Sequence, residues 1–220
     1  MRTAKQLEFH LPSWGGRRPG TGRKPASGRR SVPHRSRPVH EPRHPVHVTM
    51  RLCEGLPSLR SERVFVAMKR AFASASNHGF RVLHFSVQND HVHLLVEADA
   101  PPRLSSGMRG LAIRTAKAIN RTVCRHGPVW ADRFHARALS TPREVRNALV
   151  YVLQNWKKHE TGAVGIDPRS SGAWFVGWRD VLPCVRERSP VAAARTWLLR
   201  CGWWRHGRIS HADGPRPVRR

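Results

Sequence analysis

Two short apolar runs separated by three polar residues set the first limit on what this chain can become. Val82-Leu83-His84-Phe85-Ser86-Val87 and His91-Val92-His93-Leu94-Leu95-Val96 flank Gln88-Asn89-Asp90. Runs of that length joined by a turn sequence predict an antiparallel hairpin. A lone hairpin is marginal in water, so flanking sequence must supply further strands or a helical layer. It supplies both. Val46, Val48 and Met50 alternate with His47, Thr49 and Arg51, the period-two pattern of a half-buried strand. Between that strand and the hairpin, Val64, Phe65, Met68, Phe72 and Ala75 recur at helical spacing, predicting a helix from Ser61 to about His78 that stops at Gly79.

Beyond the hairpin the alternation of types continues. Met108, Leu111, Ala112, Ala116, Ile119 and Val123 mark one face of a helix over Leu104 to Arg125. A short strand is expected near His135 to Leu139. Thr141-Pro142-Arg143-Glu144 then reads as a capping box with proline at the first helical position, so a third helix should run from there to about His159. Strand, helix, two strands, helix, strand and a further helix describe an α+β fold of the ferredoxin-like kind, an antiparallel sheet backed by helices.

The ends of the chain differ in character from this middle. Residues 1–44 carry Arg2, Lys5, Arg17, Arg18, Arg23, Lys24, Arg29, Arg30, Arg35, Arg37 and Arg43 against Glu8 and Glu41, among Gly and Pro. Such a stretch cannot bury enough apolar surface to offset its ordering entropy. It is expected to be a basic arm, disordered until it meets a phosphate backbone; the plainer alternative is a solvated tail. Residues 45–160 would form the central folded domain. Residues 161–220 are a C-terminal extension rich in tryptophan (Trp174, Trp178, Trp197, Trp203, Trp204), with a short helix expected over Ala192 to Leu199.

Charge narrows the partners. Forty basic against 14 acidic side chains give +26 over 220 residues, well beyond what solubility needs, and point to a polyanion such as nucleic acid. Only Lys5, Lys24, Lys69, Lys117, Lys157 and Lys158 are lysines among the basic residues, and the arginines that make up the rest grip phosphate with a planar fork. A GC-rich genome would also enrich arginine. Cys53, Cys124, Cys184 and Cys201 lie far apart with no C-x-x-C pair, which favours reduced thiols in a cytoplasm over a zinc ribbon. No apolar run nears the roughly 20 residues of a membrane span, and the first residues lack the apolar core of a signal peptide. The expected location is the cytoplasm, in association with the nucleoid.

Two constellations carry possible chemistry. In His91-Val92-His93 on a strand, alternation puts both imidazoles on one face and Val92, Leu94 and Val96 on the other, the arrangement of a two-ligand metal site. Chance among 14 histidines is the alternative. On the third helix Tyr151 and Asn155 lie four residues apart, about 40° out of register, and share a face. Tyr151 is the only tyrosine of the chain, although such a residue on an amphipathic helix commonly just edges a core.

Pro45-Val46-His47-Val48-Thr49, the stretch Gln88-Asn89-Asp90-His91-Val92-His93-Leu94-Leu95-Val96-Glu97 and Tyr151-Val152-Leu153-Gln154-Asn155 together resemble the single-tyrosine HUH transposases of the insertion-sequence-200-like group, and within it the REP-associated tyrosine transposases. The resemblance covers roughly residues 33–160. It implies that His91, His93 and Asn155 hold a divalent metal, Mg²⁺ or Mn²⁺, and that Tyr151 is the nucleophile on single-stranded or hairpin DNA. It further implies cleavage and rejoining through a 5′-phosphotyrosine link. Lys157 or Lys158, just beyond Tyr151, is expected to help the metal stabilise the phenolate, and both join Arg17, Arg18, Arg23, Lys24, Arg29, Arg30 and Arg35 of the basic arm as expected DNA-binding residues. Relatives occur as monomers or homodimers. Two features depart from the family pattern: Trp156 stands where many relatives have proline, and the Trp-rich extension has no counterpart in the minimal transposases. A different class, a nucleic-acid-binding module without catalysis, would stack bases on aromatic rings of an open sheet. A metal hydrolase would need a carboxylate near the two histidines, and Asp90, preceding the strand, is expected to point away from both.

Overall fold

The computed structural model describes residues 39–158, 164–180, 185 and 187–215. Its described strands are β1 (Val46–Arg51), β2 (Phe80–Val87), β3 (His91–Ala98) and β4 (His135–Ala138). They form one antiparallel sheet in the order β2-β3-β1-β4, with α1 (Glu62–Ala73) and α2 (Pro101–Thr122) as the connecting helices. This is the expected α+β, ferredoxin-like arrangement. Sheet register follows the side-chain alternation: Thr49 opposes His93 and Arg51 opposes His91, so residues 47, 49 and 51 share a face with 91, 93 and 95.

One face of the sheet is covered by α1 and α2. Val48, Phe85, Val92 and Leu94 from the strands meet Met68, Phe72, Met108, Leu111 and Ile119 from the helices, all within one buried cluster. Helix α2 comes close at Gly107, where a Cβ would fall 2.2 Å from the Phe80 ring. The other face carries α3 (Pro142–Gln154) and much of the C-terminal extension: Leu83 and Leu95 of the sheet join Leu149, Val152 and Leu153 of α3 with Phe175, Trp178 and Trp203. The second and third strands are therefore buried on both faces. Exposure on the sheet is confined to β1 and β4, whose burial patterns keep part-exposed and exposed residues.

The extension also covers the free edge of β2. Val87 N–H donates to the Arg169 carbonyl (2.9 Å), Phe85 N–H to the Ser171 hydroxyl (3.0 Å) and Ala192 N–H to the Val82 carbonyl (2.9 Å). Pairing an edge in this way removes the unpaired backbone groups that would otherwise template association.

Several boundaries differ from the sequence expectation, each for a local reason. Helix α1 ends at Ala73 because the Asn77 side chain accepts from the amides of Gly79 and Phe80 and turns the chain into β2. Helix α2 begins at Pro101, with proline in its first turn. Helix α3 stops at Gln154 and tightens into a 3₁₀ turn over Asn155–Lys158. The expected helix over Ala192 to Leu199 is only α4 (Trp197–Arg200). There the buried Glu97 carboxylate accepts from the amides of Arg195 and Thr196 and from the Thr196 hydroxyl, so this backbone bonds to β3 and the helix starts after it.

Candidate active site

The site is assembled by β1, β3 and α3. Alternation aims His93 of β3 and His47 and Thr49 of β1 at the same side of the sheet, beneath α3. The His91 and His93 rings lie edge-on with centroids 4.7 Å apart, and the Tyr151 ring meets His93 edge-on at 4.9 Å. His47 completes the group, 5.3 Å from His93 and 5.6 Å from Tyr151. Three ring residues of the sequence expectation are thus brought together, and a fourth ring joins them. His47 was not singled out from the sequence. Its signal was the polar side of the first strand's alternation, which strand pairing alone connects to His93.

Hydrogen bonds fix the histidines. His93 Nδ1 lies 3.1 Å from the Thr49 hydroxyl and 3.3 Å from His47 Nε2. His91 Nδ1 lies 2.6 Å from the Asp90 carboxylate. This corrects the expectation for Asp90: the turn between β2 and β3 bends its side chain back onto His91, a local geometry that strand alternation does not describe. Burial opposes the charge on Asp90, but the His91 hydrogen bond and the charges of His91 and Arg51 outweigh it and hold its carboxyl below the usual range.

Asn155 follows Tyr151 by one helical turn, at the point where α3 tightens. Its side chain is buried, and neither its oxygen nor its nitrogen has a hydrogen-bond partner among the described residues. The neighbouring Gln154 amide is in the same state. A buried amide left unbonded costs about 1–3 kcal/mol, so such a group calls for a ligand. Among the described residues no three His, Cys, Asp or Glu side chains group as metal ligands. Two imidazoles with an amide oxygen nonetheless form a donor set that a divalent metal ion accepts, and the orphaned Asn155 fits it.

Electrostatics separates the two candidate lysines. Lys158 places its ammonium 4.4 Å from the Tyr151 ring centroid, and burial lowers its pKa. Lys157 instead donates to the backbone carbonyls of His211 and Asp213. Burial raises the Tyr151 pKa, and burial together with the charges of His135 and Arg137 lowers His47 to about 4. At neutral pH the site therefore holds a protonated phenol beside a neutral imidazole. Tyr151 and His47 open onto a cleft of about 500 Å³, whose far wall is Arg137, Glu144, Arg146 and residues 213–215. Arg17, Arg18, Arg23, Lys24, Arg29, Arg30 and Arg35 lie outside the described residues.

The sequence pattern of the family described as "Transposase IS200 like" matches residues 46–155, half of the chain, from the first residue of β1 to the buried asparagine. The chain belongs to the IS200-like transposase family. Among solved structures this chain is similar to a REP-associated tyrosine transposase bound to a REP hairpin. The two are 17% identical with a TM-score of 0.48, over 58% of this chain and 74% of that one. No curated protein matches it. None of its described helices is long and apolar enough to cross a membrane.

Proposed function

We propose that this protein is a metal-dependent single-stranded DNA transposase that cleaves and rejoins DNA through a 5′-phosphotyrosine intermediate. One observation carries the reading: the only tyrosine of the chain lies edge-on to His93, within a ring cluster, one helical turn before a buried Asn155 whose amide has no hydrogen-bond partner among the described residues.

His91, His93 and Asn155 are the residues that would hold Mg²⁺ or Mn²⁺. A divalent ion there supplies charge neutralisation to the non-bridging oxygens of the scissile phosphate. Asp90, Thr49 and His47 orient the two imidazoles. Tyr151 Oη attacks phosphorus, the P–O3′ bond breaks, the phenol gives up its proton and the departing 3′ oxygen takes one up. The phosphodiester is exchanged for a phosphotyrosyl ester, so a second strand can be joined without ATP. A phenol with a free pKa of about 10 is a poor nucleophile at neutral pH. Lys158, close over the ring, stabilises the phenolate as it forms. Hairpin DNA is the substrate that the resemblance to REP-associated transposases implies, and monomer and homodimer are both compatible with one tyrosine per chain.

The test is covalent capture. Hairpin oligonucleotides copied from palindromes of the protein's own genome, with single-stranded flanks and Mn²⁺, should give a denaturation-resistant protein–DNA adduct. Tyr151→Phe removes one oxygen and should abolish the adduct while leaving binding within about twofold. An adduct that persists in the variant overturns the assignment of Tyr151.

A further inference from the structure

The C-terminal extension presents a second aromatic surface that the transposition chemistry does not use and that lies outside residues 46–155. Trp197 and Trp204 are 49% and 44% exposed, although nearby Trp178 and Trp203 are buried. Each exposed ring carries an arginine: the Arg205 guanidinium is 4.9 Å from the Trp197 ring centroid and that of Arg208 is 5.6 Å from Trp204. The rings are held in place. A Cβ on Gly202 would come within 2.7 Å of Trp197, and Trp204 meets Trp203 edge-on at 5.9 Å.

Trp204 also forms one wall of a cleft of about 420 Å³, closed by Trp174, Phe175 and Trp203 and reached by Arg200. That volume lies within the ordinary range for small organic ligands, about 300–1,000 Å³. The stretch from 188 to 212 carries Arg188, Arg195, Arg200, Arg205 and Arg208 and no Asp or Glu of its own, while Asp99 lies beside Arg195 and the buried Glu97 bonds the backbone of residues 195–196. Fixed aromatic rings topped by the planar guanidinium groups of Arg205 and Arg208 match the chemistry of unpaired nucleotides. Bases stack on indole or guanidinium planes while the free N–H groups of arginine take phosphate.

We propose that the Trp197/Trp204 surface and its adjoining cleft bind an unpaired stretch of DNA, a stacking platform separate from the Tyr151 cleft. The proposal rests on the reading of this chain as acting on single-stranded DNA. It commits to DNA as occupant through charge and shape complementarity: Arg205 and Arg208 lie over the two exposed indoles and Arg200 lines the cleft, a pairing of stacking rings with phosphate-binding groups that a second copy of this basic chain does not complement.

Fluorescence anisotropy of labelled dT20 on the full chain tests it. Trp204→Ala and Trp197→Ala should each weaken binding about tenfold, the scale of one base–aromatic stack, with the salt slope unchanged. Arg205→Ala should instead reduce the log–log salt slope by about 0.7, the share of one single-strand phosphate. Trp204→Phe keeps a stacking ring and should bind within about threefold of wild type, which separates missing stacking from failed folding. Photocrosslinking of iodouracil-substituted dT20 should label a peptide containing Trp197 or Trp204. Unchanged dT20 affinity in both alanine variants, labelling confined to residues 46–155, tighter binding of rU20 than of dT20, or a dimer that dissociates in Trp204→Ala without loss of DNA binding would each overturn it. The Tyr151 adduct assay reports separately: no adduct with intact, Trp-dependent dT20 binding rejects the catalytic reading and leaves this one standing.

Discussion

Asp90 is the residue whose role most depends on a single interaction, the 2.6 Å hydrogen bond to His91 Nδ1. Under the proposed metal assignment Asp90 stands behind the His91 imidazole, and a carboxylate so placed fixes a ligand's orientation and raises its basicity, its removal typically costing 10- to 100-fold in metal affinity. Asp90→Asn is therefore expected to weaken Mn²⁺ binding by about that range with little change in thermal stability, since the residue is more than half exposed. Isothermal titration with Mn²⁺ checks this, and an unchanged affinity would reduce the pair to a surface ion pair. At this scale the chain was partly legible. His91, His93, Tyr151 and Asn155 stood out because chemistry needs those residue types at short, periodic spacing. His47 did not, because its proximity to His93 comes from β1–β3 register, and Asp90 was misjudged because a turn residue obeys no periodicity.

Helix α3 shows the opposite case, an element announced by four residues. The expected capping box is present: the Thr141 hydroxyl accepts from the Glu144 amide, and the Glu144 carboxylate accepts from the amides of Ser140 and Thr141 and from Arg137. Burial opposes ionisation of Glu144, but the Ser140 amide and the Arg137 guanidinium outweigh it and bring its pKa down to about 2. A carboxyl whose folded pKa lies below its unfolded value of 4.5 adds stability that is complete above about pH 4.5 and is lost as pH falls through about 2. Thermal melts between pH 5 and 2 should show the wild type losing stability over that window. Glu144→Gln should lack this part of the slope and start lower. Equal slopes would remove Glu144 from the acid sensitivity of the helix that carries Tyr151.

For the molecule as a whole, the extension is a structural part of the enzyme as well as an addition to it. Arg60, just before α1, grips the fully buried Asp167 carboxylate with both arms of its guanidinium, at 2.9 and 3.0 Å. Arg81 of β2 meets the buried Glu97 at 3.3 Å, and Glu97 in turn holds residues 195–196. Breaking a buried pair by removing one partner leaves an uncompensated charge and costs about 3–5 kcal/mol. Asp167→Ala should lose stability on that scale in urea unfolding, whereas an exposed pair such as Arg43–Glu41 should change it by less than about 1 kcal/mol. At the other end, deletion of residues 1–44 should reduce the log–log salt slope of hairpin binding by about 0.7 to 0.9 for each phosphate that the arm had neutralised. Equal affinity losses on genomic and scrambled hairpins would make the arm an electrostatic tether. A loss confined to the genomic hairpin would make it a reader of bases, and an unchanged affinity would reject both roles.

By itself the sequence determined what is local and periodic: the strand and helix order, the cap of α3, the basic ends, and a His-x-His strand and a Tyr-x-x-x-Asn helix of family-specific form. These follow from side-chain alternation, helical spacing and hydrogen bonds spanning at most a few residues. Only the tertiary structure decided which face of the sheet α3 covers, that His47 and Thr49 stand beside His93, that Lys158 lies over Tyr151 while Lys157 is engaged elsewhere, and that the extension covers the β2 edge. Most of those pairings join residues far apart in the chain. Their partners are chosen by burial and charge satisfaction in three dimensions, which no spacing along the sequence encodes.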